Sequence, residues 1–362
     1  MIRRKLLNFG AVSTDCRLGF GAFSELSRFF ASAVGRPCRA LLVLEGSVPD
    51  ATVVSVRRSL IDAGYEVHEV LLDDSATPGI AVASKVYAAL DEGHITGEDL
   101  VVGLGGMRVC SMATFCANTW CEGTAAALVP TTLDAMMCSS TQMMPLATKT
   151  GFASVSLPPH PALVVCDLDL VRDAGIAANG MGYVLLCAAA LAESRKCWED
   201  FEGLSERVSS GDDQALLEAL SSALTSRLNT VKSASPSARK AFMFGETTAR
   251  ALASCLGASD APAYLLRAEG MRFEARFAVD ACDFSVDEMF ALDDRLEDLG
   301  VGELAFDIDP ETFIEALRAE RFRRSNRFQL ALPKYPGVMR LATVEDAVLE
   351  RHARAFLASR RS

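Results

Sequence analysis

The first half of the chain alternates short apolar runs with longer amphipathic stretches, and this alternation constrains the fold more than any other feature. "RALLVLEG" (Arg39–Gly46) is an apolar run closed by an acid and a glycine, the signature of a strand buried on both faces. "ATVVSVRRSLIDAGY" follows with helical spacing and stops at Gly64. "EVHEVLL" then reads as a strand, "GIAVASKVYAALDEG" as a helix, and "DLVVGLGG" as a strand entering a glycine turn. Helix "RVCSMATFCANTW" and strands "AAALVPTTL" and "ALVVCDLDL" complete the set. Strands joined by helical crossovers lie parallel, so the pattern predicts an α/β, doubly wound, Rossmann-like sheet over residues 1–171.

Beyond Val171 the period becomes helical. "GYVLLCAAALAES", "DDQALLEALSSALTSRLNTV", "ARKAFMFGETTARALASCL", "RFEARFAVDA" and "SVDEMFALDDRLEDLG" all carry it. A short "FQLALPKYPGVMRLA" hairpin sits between two further helices, and Ser-rich "VKSASPSARK" reads as a connecting loop. An all-helical domain is therefore expected over 172–362.

With 362 residues, half of them hydrophobic, the chain can fill two cores. A net charge of −11 and the lack of any basic run argue against nucleic acid as a partner. The longest apolar run, Gly182 to Ala192, is shorter than the ~20 residues of a membrane span. Asp15 and Arg17 interrupt the start before a signal core can form, so a cytoplasmic protein without a membrane partner is expected. Eleven cysteines without a CxxC pair read as buried thiols acting as small hydrophobes. The four histidines are scattered.

Candidate ligand-binding residues gather at the ends of the strands. Gly105 and Gly106 let a pyrophosphate approach the backbone, and the helix that follows supplies amide donors. Glu45, closing the first strand, is where an acid can hold ribose hydroxyls, and Thr131 and Thr132 add hydroxyls at another strand end. Together these five residues point to a nucleotide.

These segments resemble 3-dehydroquinate synthase, of the superfamily that also holds glycerol dehydrogenase and iron-dependent alcohol dehydrogenases. "GFGAFSELSRFF", "CRALLVLEGSV", "LIDAGYEVHEVLL", "KVYAAL", "DLVVGLGG" and "VPTTL" follow that family in order, as does the terminal "IDPETFIEALRAERFRRSNRFQLALPKYPG". The resemblance implies its two-domain fold, bound NAD and a divalent metal. It also implies conversion of a phosphorylated keto acid to 3-dehydroquinate by oxidation, phosphate elimination, reduction and ring closure.

The chemistry-bearing positions depart from the family. Met107 replaces the third glycine, where its side chain would crowd a pyrophosphate, and Ser111 replaces an aspartate. Glu122 replaces an arginine ahead of "PTTL", setting a carboxylate where an anionic substrate is expected, and Cys138 replaces an aspartate after it. The metal-binding glutamate and catalytic lysine fall on Tyr183 and Leu186, and the two metal histidines on Glu246 and Arg267. A guanidinium has no lone pair to offer a cation, so no divalent metal is expected and no residue is assigned to catalysis. Surviving family cations make Lys149, Arg239 and Arg321 the candidate substrate-binding residues.

The expectation is a non-catalytic or repurposed homologue with a vestigial NAD cleft, taking a small anionic or nucleotide ligand; a homodimer is compatible with the sequence. The alternatives are an active synthase with an unorthodox site and an NAD-dependent polyol dehydrogenase.

Overall fold

The computed structural model describes residues 2–74, 76–148, 153–257, 261–320 and 329–361. The chain divides into two compact units, Met1–Ala174 and Gly175–Ser362.

The strands of the first unit are β1 Arg3–Asn8, β2 Ser13–Gly19, β3 Arg39–Glu45, β4 Glu66–Leu72, β5 Leu100–Gly105, β6 Ala125–Pro130, β7 Leu146–Ala147, β8 Ala153–Val155 and β9 Leu163–Asp167. Its helices are α1 Leu26–Ala31, α2 Asp50–Asp62, α3 Ile80–Glu92, α4 Met107–Thr119 and α5 Leu133–Cys138. Seven strands form one sheet in the order β1-β2-β9-β6-β5-β3-β4. β1 runs antiparallel to β2, and the remaining neighbours are parallel. This is the doubly wound sheet the alternation predicts.

Two observations explain the order of the core. β5 is buried at every residue, so Leu100, Val101, Val102 and Leu104 can all be apolar without regard to face. α4 is buried from Val109 to Ala117, because the sheet, α3 and α5 surround it. Its Cys110, Ser111, Ala113, Thr114, Cys116 and Ala117 are the small residues such close packing needs. The sequence reading missed β1 and β2. They form a hairpin of mixed charged and apolar residues, turned by Gly10 at φ 106, whose N–H donates to Asn8 Oδ1 at 2.8 Å.

The second unit comprises α6 Gly175–Glu193, α7 Arg195–Ser209, α8 Asp213–Lys232, α9 Pro236–Arg239, α10 Glu246–Leu256, α11 Ala263–Cys282, α12 Val286–Asp298, α13 Pro310–Glu320 and α14 Asp346–Arg360. The hairpin β10 Gln329–Tyr335 and β11 Val338–Thr343 lies between the last two helices. α11 is the central element, packed against α6, α10, α12 and α14.

α7 was also missed, although Trp198, Phe201, Ser205 and Val208 give it a buried face at helical spacing and Ser194 Oγ caps its Cys197 N–H. The stretch read as one helix over "ARKAFMFGETTARALASCL" is broken by Gly245, whose φ of 78 ends one segment and starts α10. α6 extends further than the apolar run read from the sequence. At 19 residues it is long and apolar enough to cross a membrane by length and composition alone. In the structure it packs against α7, α8, α11 and α12.

Candidate functional site

Glu45, Gly105, Gly106, Thr131 and Thr132 all lie at the carboxyl ends of β3, β5 and β6. Gly105 adopts φ 150, and a Cβ there would stand 2.8 Å from Glu45 Oε1 and 3.1 Å from Val109 Cγ2. Gly106 caps α4, and its N–H donates to Glu45 Oε1 at 2.9 Å. Glu45 therefore holds the glycine turn itself. The first backbone bond of α4 runs from Cys110 N to Gly106 O at 3.1 Å, so the amides of Met107, Arg108 and Val109 precede the intrahelical ladder. Met107 is half-buried at the first helical position.

The rest of this edge is polar. Arg108 donates to the carbonyls of Asp73 and Asp74, and Gly46 N–H to Asp74 Oδ1 at 3.1 Å. Thr131 N–H donates to Gly105 O at 3.0 Å, closing β6 onto β5. The Thr132 hydroxyl is buried without a partner among the described residues, and a Cβ on Gly106 would lie 3.8 Å from it. Helix amides ahead of the ladder and a buried hydroxyl around a glycine turn suit a phosphate-bearing ligand, while the Glu45 carboxylate, which already takes the Gly106 N–H, opposes one.

Other members of this stretch face inward. Ser111 Oγ accepts from Met144 N–H at 2.7 Å, tying the segment after α5 to α4. Thr114 Oγ1 donates to Cys110 O at 2.6 Å, and burial pushes the Cys116 thiol up to about 12 and Cys110 higher still. Cys138 is buried at the end of α5. The thiols here are packing residues, as the plainer sequence reading has it.

Glu122 needs a correction. It precedes β6, in a turn where Cys121 and Glu122 take φ 47 and 63, whereas Thr131 and Thr132 follow that strand. A strand of this length separates its ends by roughly 17–20 Å, so within one chain Glu122 cannot repel a ligand held at the glycine turn. Of the three cations, Lys149 and Arg321 lie outside the described residues. Arg239 is exposed at the end of α9 and donates to the carbonyls of Ser233 at 2.9 Å and Ala234 at 3.2 Å.

In the second unit the four departed positions fall on three helices. α6 carries Tyr183, half-buried, and Leu186, buried. Glu246 opens α10, and Arg267 lies one turn into α11. Arg267 Nη1 is ion-paired with Glu246 Oε2, Arg250 Nη2 holds Glu246 Oε1 at 2.6 Å, and Arg267 Nη2 donates to Phe242 O at 2.6 Å. Arg250, Phe242 and Glu274 had no part in the sequence reading. Both oxygens of Glu246 are engaged by guanidinium groups, and neither arginine can donate a lone pair. Among the described residues no three His, Cys, Asp or Glu side chains group as a metal site. This residue set does not fit a divalent cation.

Behind the pair, α10 and α11 meet backbone to backbone. A Cβ on Gly270 would lie 2.1 Å from Gly245 O. Glu274, wholly buried, accepts from Gly245 N at 2.7 Å, Thr248 N at 3.3 Å and Thr248 Oγ1 at 2.9 Å, so α11 caps α10. Also on α11, Glu269 accepts from Arg272 Nη1 at 2.9 Å and Arg360 Nε at 2.6 Å, all three side chains being buried.

Burial raises the Glu274 carboxyl from 4.5 to about 7, outweighing the three donors. The folded state then binds a proton that the unfolded chain has released. Its contribution is complete below about pH 4.5 and is lost as pH rises through about 7. Unfolding free energy should fall across that window by up to about 3 kcal/mol from this group. Urea unfolding at several pH values should show Glu274→Gln with a flatter profile; parallel profiles would refute the assignment.

The comparisons with known proteins agree with this frame. Residues 70–174 match the 3-dehydroquinate synthase N-terminal family. The chain is 32% identical over 167 residues to 3-dehydroquinate synthase of Thermobifida fusca (strain YX), covering 45% of this chain and 44% of that protein. Against the same enzyme of Leifsonia xyli subsp. xyli (strain CTCB07) it is 34% identical over 176 residues, 47% of each chain. The matched segment thus spans under half the length of these relatives. The crystal structure of 2-deoxy-scyllo-inosose synthase complexed with carbaglucose-6-phosphate, NAD+ and Co2+ superposes with a TM-score of 0.86, covering 98% of this chain and 100% of that one at 15% identity. The family resemblance holds at the level of sequence in the N-terminal half, and the fold holds across the chain.

Proposed function

For a chain whose N-terminal half is related to 3-dehydroquinate synthase, we propose the role of a non-catalytic or repurposed homologue that keeps a nucleotide-type turn and lacks the metal chemistry. The observation that carries this reading is the Arg267–Glu246 ion pair, made by the two residues that the resemblance sets against the family's metal histidines. A bound metal would act as a Lewis acid on the substrate's hydroxyl and carbonyl; here, of the three positions the resemblance assigns to ligands, one is a tyrosine, one a guanidinium and one a carboxylate already engaged twice. Leu186 in place of the lysine removes a proton carrier as well. Losses of groups that act as a unit are not partly compensated by those that remain.

NAD is the cofactor the turn favours, and the 2-deoxy-scyllo-inosose synthase of like fold was crystallised with it. Binding should be weak, because a phosphate approaching Gly106 meets the Glu45 carboxylate and the Met107 side chain. We place the protein in the cytoplasm, with a small anionic or nucleotide ligand.

The test is rescue of a strain lacking 3-dehydroquinate synthase, paired with elemental analysis of the purified chain. No growth without aromatic supplements and no stoichiometric zinc, cobalt or iron after dialysis are the expected results. Growth would establish the active-synthase alternative, and one tightly held metal per chain would sink the reading of the ion pair.

A further inference from the structure

The helical unit holds a cavity of ≈ 620 Å³ between α6, α7 and α8, distinct from the Arg267–Glu246 pair on α10 and α11. That is the size of a small-molecule site. Its floor is apolar, with Leu186 and Ala190 from α6, Phe201 from α7, and Ala219 and Ala223 from α8. Ser226, also on the wall, spends its hydroxyl on Ala189 O at 2.9 Å. Small side chains on facing helices leave this volume open where leucines would fill it.

The rim is acidic. Glu193, Asp200 and Glu218 line it, against Lys196 and Arg207. Arg207 is already held by Asp212 through Nε at 2.8 Å and Nη2 at 2.7 Å, which leaves Lys196 as the cation facing three acids. Among the described residues Glu193 accepts from a neutral amide, Asn229 Nδ2 at 2.8 Å. No ion pair engages Asp200 or Glu218 among the described residues. An apolar floor under a rim of three acids and one lysine not shared with Asp212 is complementary to a molecule with an apolar body and a positive end.

We propose that this cavity binds a small organic amine, its protonated nitrogen among Glu193, Asp200 and Glu218 and its apolar body on the alanine floor. The proposal is independent of whether the chain is catalytic. Cys197 supplies a local reporter, since it lines the same cavity and is half-buried, with Sγ 3.4 Å from Ser222 Oγ.

The experiment titrates the full chain with tryptamine and with its neutral counterpart 3-ethylindole by calorimetry, and follows Cys197 alkylation by peptide mass spectrometry. Saturable tryptamine binding that slows Cys197 alkylation is expected, with 3-ethylindole weaker. Asp200→Asn and Glu218→Gln, both at exposed positions, should each weaken tryptamine about three- to tenfold without changing the melting temperature. Absence of saturable binding at millimolar tryptamine would overturn the proposal. So would equal affinity for the neutral compound, an unaltered affinity in the double variant, or alkylation of Cys197 at an unchanged rate.

Discussion

Gly270→Ala is expected to cost the helical unit about 4 kcal/mol or more, although alanine is the better helix former by about 1 kcal/mol. The added methyl would stand 2.1 Å from Gly245 O, 2.9 Å from Gly245 C and 3.0 Å from Ala249 N. All three are backbone atoms, so no rotamer change relieves the clash and α10 must move off α11. That movement pulls Gly245 and Thr248 away from Glu274 and loosens Arg267 from Glu246. Total stabilities are about 5–15 kcal/mol, so a loss of this size should appear as a large fall in the urea midpoint or as insoluble protein. A variant as stable as the parent would mean that the two helices do not meet as described.

Arg272→Met should be nearly as damaging, at about 3–5 kcal/mol. Arg272 is wholly buried and donates to Glu269 at 2.9 Å, Gly302 O at 3.0 Å and Val301 O at 2.8 Å, with Asp293 at 3.3 Å from Nε. Methionine keeps much of the volume and supplies none of these donors. Glu269 keeps Arg360 and Asp293 keeps Arg276, but two carbonyls lose a partner and the buried charge is no longer balanced. A double-mutant cycle with Glu269→Gln should show the two losses to be less than additive, because each breaks the same buried charge pair. Strict additivity, or a loss under 1 kcal/mol, would show that solvent reaches the network.

The parallel sheet was legible because strands buried on both faces need unbroken apolar runs, and "RALLVLEG" and "DLVVGLGG" carry them. The β1–β2 hairpin was harder to see, since most of its residues are charged or polar. At the candidate site the sequence showed which residues stand at the strand ends and which have replaced the family's ligands. It could not show their contacts. Arg267 and Glu246 are 21 positions apart on different helices, and no local pattern pairs them. Nor does a helical wheel reveal that Glu269, Arg272 and Glu274 lie inside, because charged residues are usually read as a solvated face. Glu122 misled for another reason: closeness to "PTTL" along the chain hides the full strand between them.

The α10–α11 contact also has a bearing on how the protein is made. Its fastenings are two glycines, a buried carboxyl and an arginine–glutamate pair, all supplied by translation. A fastening of that kind closes as soon as the chain does. Every group in this contact belongs to the chain itself, so α10 closes on α11 through residues that are present from the moment both helices form.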